Sequence, residues 1–144
     1  MNLPELKIGK LVAQVPIIQG GMAIRLSTAP LAAAVANEGG IGLIAASGMG
    51  LDELRKEIRM ARELTGGKGI IGINAMVAAR QFLDLITTAA EEGIDLIVAG
   101  AGFSRDIFAV GKKYGVEVVP IVSSARLAQT AEKLGASAVV VEGT

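Results

Sequence analysis

Cysteine, histidine and tryptophan are absent from the 144-residue sequence, and aromatic residues of all kinds make up only 3%. Without cysteine there is no disulfide framework, no zinc–thiolate cluster and no thiol nucleophile. Without histidine there is no imidazole base and no imidazole metal ligand. An excess of either charge is also missing, because 14 basic residues balance 14 acidic ones. Such a chain has no electrostatic footprint for nucleic acid or for an anionic membrane. Gly, Ser or a charged residue interrupts each apolar stretch before it reaches the ~20 residues that a bilayer span requires. The N-terminal segment MNLPELKIGK has no signal-peptide apolar region. A cytoplasmic protein that engages a small molecule, with no nucleic-acid or membrane partner, is the expectation.

What is present is apolar and glycine-rich. Hydrophobic residues reach 51%, which excludes a disordered chain and suits one domain with one core. Glycine accounts for 19 of the 144 residues, against a usual share of about 7%. These glycines fall at the ends of apolar runs, so they are not linker. In that position small residues allow tight turns and close approach of backbone to a ligand.

Six short apolar runs recur, at 15–20, 41–46, 69–74, 96–100, 116–122 and 138–141. They are rich in Val and Ile and lack polar alternation, the pattern of strands buried on both faces in a parallel sheet. Helical patterns lie between them. The first has Ser27 or Thr28 as N-cap and Pro30 in its first turn, and it stops at Gly39-Gly40. The others span 52–64, 79–92, 104–114 and 124–134, each closed by glycine. Ser104 and Ser124 are the N-cap candidates of the last two. Residues 1–14 read as a strand-like arm or hairpin.

Regular β/α alternation predicts an α/β fold with parallel strands. Two architectures satisfy it: an open doubly wound sheet, or a (β/α)8 TIM-type barrel. A complete barrel needs about 250 residues. This chain offers six strands and five helices and ends on the sixth strand, so the barrel reading is of a truncated one. An apolar, unpaired edge strand then favours self-association.

In both architectures ligands bind at the carboxyl ends of the strands. The tips there are Gln19-Gly20-Gly21-Met22, Ser47-Gly48-Met49-Gly50, Asn74-Ala75-Met76, Gly100-Ala101-Gly102-Phe103, Ser123-Ser124 and Glu142-Gly143-Thr144. This rim carries glycines, amides and hydroxyls and little charge, which suits a flat ring with polar edges, such as a flavin. Each residue also has a plain structural reading. Gly20-Gly21 is either a tight turn or a point of close backbone approach. Met22 is either core or a ligand contact. Asn74 interrupts Ile-Ile-Gly-Ile in a setting that disfavours Asn, and either caps the next turn or faces a ligand. Ser123 and Ser124 can serve as helix caps, Ser124 the more readily.

Several other features carry no chemistry. Gly100-Ala101-Gly102 lacks the third glycine of a dinucleotide fingerprint and follows the wrong strand. Asp95 stands at the amino end of its strand, on the stabilising face. Glu53 with Glu57 and Arg55 with Arg59 read as a solvated helix face rather than a metal site. The side of the sheet that Glu142 faces is left open by the pattern. No nucleophile has a base beside it.

Taken together, the strand tips resemble those of the nitronate monooxygenase family, formerly 2-nitropropane dioxygenases, and of the related flavin-dependent enoyl-ACP reductases. The similarity is carried by PIIQGGM at 16–22, AAAVANEGGIG at 32–42, GIN at 72–74, VAGAG at 98–102, VPIVSS at 119–124 and LGASAVVVEG at 134–143. The resemblance implies that residues 1–144 are the N-terminal part of one FMN-binding (β/α)8 barrel. It implies that Gly21, Met22, Ala23 and Asn74 contact the flavin, with Ser123 an added candidate. It also implies that the catalytic histidine, in a Gly-Gly-His after Glu-Gly, and the phosphate-binding glycines all lie beyond Thr144. No residue of this chain is then assigned as catalytic. The implied activity is oxidation of alkyl nitronates with O2, or reduction of enoyl thioesters with NAD(P)H. A fragment that only self-associates, and an open-sheet module for another ligand, are the remaining readings.

Overall fold

The computed structural model describes residues 2–143; Met1 of the N-terminal arm and Thr144 of the sixth tip lie outside the described residues. A short antiparallel hairpin comes first, β1 (Leu6–Ile8) and β2 (Leu11–Ala13). Five β/α steps follow: α1 (Ala29–Asn37), β3 (Ile41–Ala45), α2 (Leu51–Leu64), β4 (Ile70–Met76), α3 (Phe82–Glu91), β5 (Leu96–Gly100), α4 (Asp106–Tyr114), β6 (Glu117–Val122), α5 (Ala125–Leu134) and β7 (Val140–Val141). Strands β3 to β7 form one parallel sheet in sequential order.

That order, with every helix on one face, decides between the two architectures. A doubly wound sheet has helices on both faces and a reversal of strand order. Here consecutive helices from α1 to α4 touch one another and form one layer. Ile44, Ile71, Ile73, Ile97 and Val118 point into that layer, against Leu54, Ile58, Leu85, Ile86 and Ile107. The alternate residues Ile41, Leu43, Leu96, Val98 and Val119 line the concave face, where Ile8 and Ala13 of the hairpin plug its lower end. The result is a half barrel of the TIM type, with its floor closed by β1 and β2.

Glycines set how closely the layers approach. A Cβ at Gly42 would lie 1.9 Å from the Ala32 carbonyl oxygen, so α1 rests directly on the β3 backbone. A Cβ at Gly72 would meet Leu96 and Leu43 on the concave face. The floor is also tied by Glu117, which accepts from the Lys10 N–H at 3.1 Å and from the Ser137 hydroxyl. Asp95 holds the same end: its Oδ2 accepts from Arg62 and from the Ile71 N–H, both at 2.9 Å.

Several expectations need correction. Residues 15–20 do not form a strand buried on both faces. They meet β3 through a single parallel bridge, Ile18 to Ile41, and Ile17 is 56% exposed. The sheet therefore has five strands and an arm rather than six strands. The helix expected over 79–92 begins at Phe82, because residues 77–81 form turns, with the Ala79 N–H bonded to Met76. The last strand is only Val140–Val141. Ser104 stands one position before the N-cap of α4 and bonds the Asp106 N–H at 3.1 Å.

Candidate functional site

The carboxyl ends of the strands open on the concave face. There β4 carries Asn74, paired in register with Ala45 on one side and Val98 on the other. Strand alternation puts Asn74 on the same face as Gly72, and so toward the mouth. Its side-chain amide makes no hydrogen bond among the described residues.

Against it lies Gly21. A Cβ added there would stand 2.4 Å from Asn74 Cβ and 3.0 Å from Oδ1. Only a residue without a side chain allows the loop this close, so the glycine is explained by contact rather than by an unusual backbone angle. The loop runs from Gly20 to Leu26 and crosses the end of β3 to reach β4. The backbone N–H groups of Gly21 and Ala23 donate to nothing among the described residues. Met22 projects from the loop at 47% exposure, and Met76 from the end of β4 at 44%. The mouth thus offers unspent amide donors and acceptors beside two accessible thioethers.

Ser123 is not part of this group. It is exposed and lines a separate cleft of about 370 Å³ between β5 and β7, with Ala101, Phe103, Ile121, Leu127 and Glu142. Glu142, whose orientation the sequence pattern leaves open, faces this cleft; its N–H bonds the Val122 carbonyl at 3.1 Å. Ser124 is the N-cap of α5, accepting from the Leu127 N–H at 3.2 Å. A larger cleft, about 540 Å³ between Gln14, Asn37, Glu38 and Lys68, lies at the amino end of the strands. That end of a barrel supports the fold and does not host its chemistry, so the smaller clefts at the mouth are the relevant ones.

The start of α1 departs from expectation. Thr28 occupies the N-cap without a side-chain cap bond. The helix N-terminus is instead satisfied from α2, where Glu57 Oε2 accepts from the Ala29 N–H at 2.7 Å. Ser27 is fully buried and turns inward: its hydroxyl accepts from the Met22 N–H at 2.9 Å and donates to the Gly20 carbonyl at 3.2 Å. Both roles were hidden in the sequence, because a Ser-Thr pair before Pro reads as a cap. Arg25 holds Glu53 across the loop at 2.9 Å. That hydrogen bond, against the opposing effect of desolvation, holds the Glu53 carboxyl below its ordinary value and raises the Arg25 guanidinium.

The mouth's donor set suits a flat heteroaromatic ring. Backbone N–H groups and one carboxamide can meet ring oxygens and nitrogens edge-on, and the bare Gly20–Gly21 backbone leaves room for its face. Among the described residues no group of three or more acidic side chains could hold a metal. No helix among them is long and apolar enough to cross a membrane.

Comparison with known proteins gives the same fold. The family model described as nitronate monooxygenase matches residues 5–98. A (3aS,4S,5R,7aS)-5-hydroxy-7a-methyl-1-oxo-octahydro-1H-indene-4-carboxyl-CoA dehydrogenase of Mycobacterium tuberculosis is 30% identical over 128 residues, covering 89% of this chain and 35% of that protein. Its counterpart in Rhodococcus jostii is 29% identical, and the chain covers 36% of it. The chain thus spans only about a third of the curated relatives it matches. Among solved structures, FabK from Thermotoga maritima superposes with a TM-score of 0.83 at 38% identity, over 89% of this chain and 40% of that one. A nitroalkane oxidase from Streptomyces ansochromogenes, at 23% identity and a TM-score of 0.79 over 92% of this chain and 47% of that one, shares the fold.

Proposed function

Because the chain belongs to the nitronate monooxygenase family, whose model covers residues 5–98, we propose that it supplies the opening strands of an FMN-dependent barrel oxidoreductase acting on alkyl nitronates with O2. One observation carries this reading: Gly21 in contact with Asn74 at the mouth, with unspent N–H groups on the same loop. Bound there, FMN would supply the redox chemistry, taking electrons from the organic substrate and passing them to O2.

The residues of this chain bind and orient. Gly21 and Ala23 offer backbone N–H groups to the polar edge of a ring, and Asn74 offers its amide, which donates and accepts. Met22 and Met76 supply polarizable apolar contact. Ser123 and Glu142, across the mouth, line the ground a substrate would occupy. The chain contains no histidine. The proton-transferring base that the family resemblance implies is therefore placed outside residues 1–144, and the chain by itself is expected to be inactive.

A second reading is reduction of an enoyl thioester by NAD(P)H. Two observations favour it. The curated relatives are named as dehydrogenases of a carboxyl-CoA, and the loop that carries Met22 also exposes the apolar side chains of Ile24 and Leu26, both at 66%. Assay of the protein at its full natural length separates the two. Flavin-dependent O2 uptake with an alkyl nitronate supports the first, and NAD(P)H oxidation driven by an enoyl thioester supports the second. A protein that binds no FMN, or whose flavin is inert to both, overturns the flavoenzyme reading.

A further inference from the structure

Residue 19 stands where the arm leaves the edge of β3. Up to that point the backbone pairs normally: the Ile41 N–H donates to Ile17, and the Gln19 N–H donates to Ile41, each at 2.9 Å. The next ladder position belongs to Leu43, and no backbone reaches it. The Gln19 side chain fills it instead. Its Oε1 accepts from the Leu43 N–H and its Nε2 donates to the Leu43 carbonyl, each at 3.2 Å. A carboxamide has the same donor–acceptor geometry as a peptide unit, so it can extend the ladder while the main chain goes elsewhere.

The main chain goes over the end of β3 to Asn74. Two further bonds hold it there. Gln19 Nε2, with two hydrogens for three acceptors, also reaches Ser27 Oγ at 3.0 Å and the Gly20 carbonyl, one hydrogen being shared between two oxygens. Ser27 Oγ in turn holds both the Met22 N–H and the Gly20 carbonyl. With Nε2 and the Met22 N–H donating to it and its own proton given to Gly20, the buried Ser27 hydroxyl is fully used. The Ser27 carbonyl is bound by the Ala45 N–H at 2.9 Å, which anchors the far end of the loop to β3.

We infer that Gln19 and Ser27 are positioning residues: together they hold the Gly20–Ala23 backbone against Asn74, so that its N–H groups are set before any ring arrives. This rests on the flavin reading of the mouth. Neither side chain is placed on the ring, and both act through the loop. A loop held in its bound shape loses less freedom on binding, which is worth affinity without any new contact.

The test uses Ser27→Ala in the full-length protein, with two readouts: FMN titration followed by flavin fluorescence, and amide hydrogen exchange of the FMN-free protein. The expected result is a rise in Kd of about tenfold or more, from lost pre-organisation, with faster exchange confined to residues 20–26. Unchanged FMN affinity overturns the inference, as does exchange that quickens across the whole sheet. Should Ser27→Ala fail to fold, Gln19→Glu gives the same two readouts, since it keeps the Leu43 N–H acceptor and loses every Nε2 donation. Failure of the wild-type protein to bind FMN sinks the flavin reading itself, a result distinct from either outcome.

Discussion

A methyl group at Gly21 would need the space that the Asn74 side chain holds, with 2.4 Å between the two Cβ positions. Gly21→Ala should therefore push the loop off β4 and raise the Kd for FMN more than Asn74→Ala does. Removal of the Asn74 amide should cost about 1 kcal/mol, roughly a fivefold rise in Kd. Flavin fluorescence titration of the full-length protein measures both, and equal affinity in wild type and Asn74→Ala would show that the side chain does not face the ring. At the same scale, Arg25 lowers the Glu53 carboxyl from its ordinary 4.5. A carboxyl lowered on folding contributes stability above its unfolded value and loses it as pH falls through the folded one. The difference in unfolding midpoint between wild type and Glu53→Gln should thus be constant above about pH 4.5 and shrink below it. Because the pair lies at the surface, salt should shrink it too. A difference that grows with acidity would contradict the ion pair.

At the scale of elements, the contact between α1 and β3 has no room for a side chain. Gly42→Ala would drive a methyl into the Ala32 carbonyl, which belongs to helix backbone and cannot rotate aside. Forcing helix and strand apart should cost about 3 kcal/mol, the upper part of the range for overpacked cores. Urea unfolding of the wild type and the variant measures it, and a loss within experimental error would mean that α1 is not seated on β3 as described. The elements were also the most legible feature of the sequence. The runs at 41–46 and 96–100 match β3 and β5 closely, since strands buried on both faces need continuous apolar residues. The run at 15–20 also reads as apolar, yet it bridges β3 at one residue pair only. Apolar composition records a tendency to be buried; the number of ladder bonds depends on where the chain is drawn next, here toward Asn74.

For the whole molecule, the half barrel leaves two edges. The arm at residues 15–20 exposes Ile17, and β7 exposes Val141 at 76%. Unpaired, apolar strand edges are templates for pairing with another chain. We propose that the 144-residue chain on its own associates with further copies through these edges. Size-exclusion chromatography with light scattering should show species larger than a monomer, and Val141→Lys should shift them toward the monomer. A monomeric wild-type chain overturns the proposal.

The sequence alone determined the β/α alternation, the parallel sheet, the glycine-and-amide rim and the absence of any histidine or thiol chemistry within these residues. These follow from composition and from local periodicity, which any stretch of chain carries within itself. Tertiary structure decided the rest. It placed all helices on one convex face, brought Gly21 onto Asn74, set Ser123 and Glu142 in a cleft of their own, and turned Ser27 from a helix cap into a loop clamp. The physical reason is visible in Gln19, whose amide completes a ladder with Leu43 at a separation of 24 residues. A bond between a side chain and a distant backbone leaves no period in the sequence, so only the folded chain can reveal it.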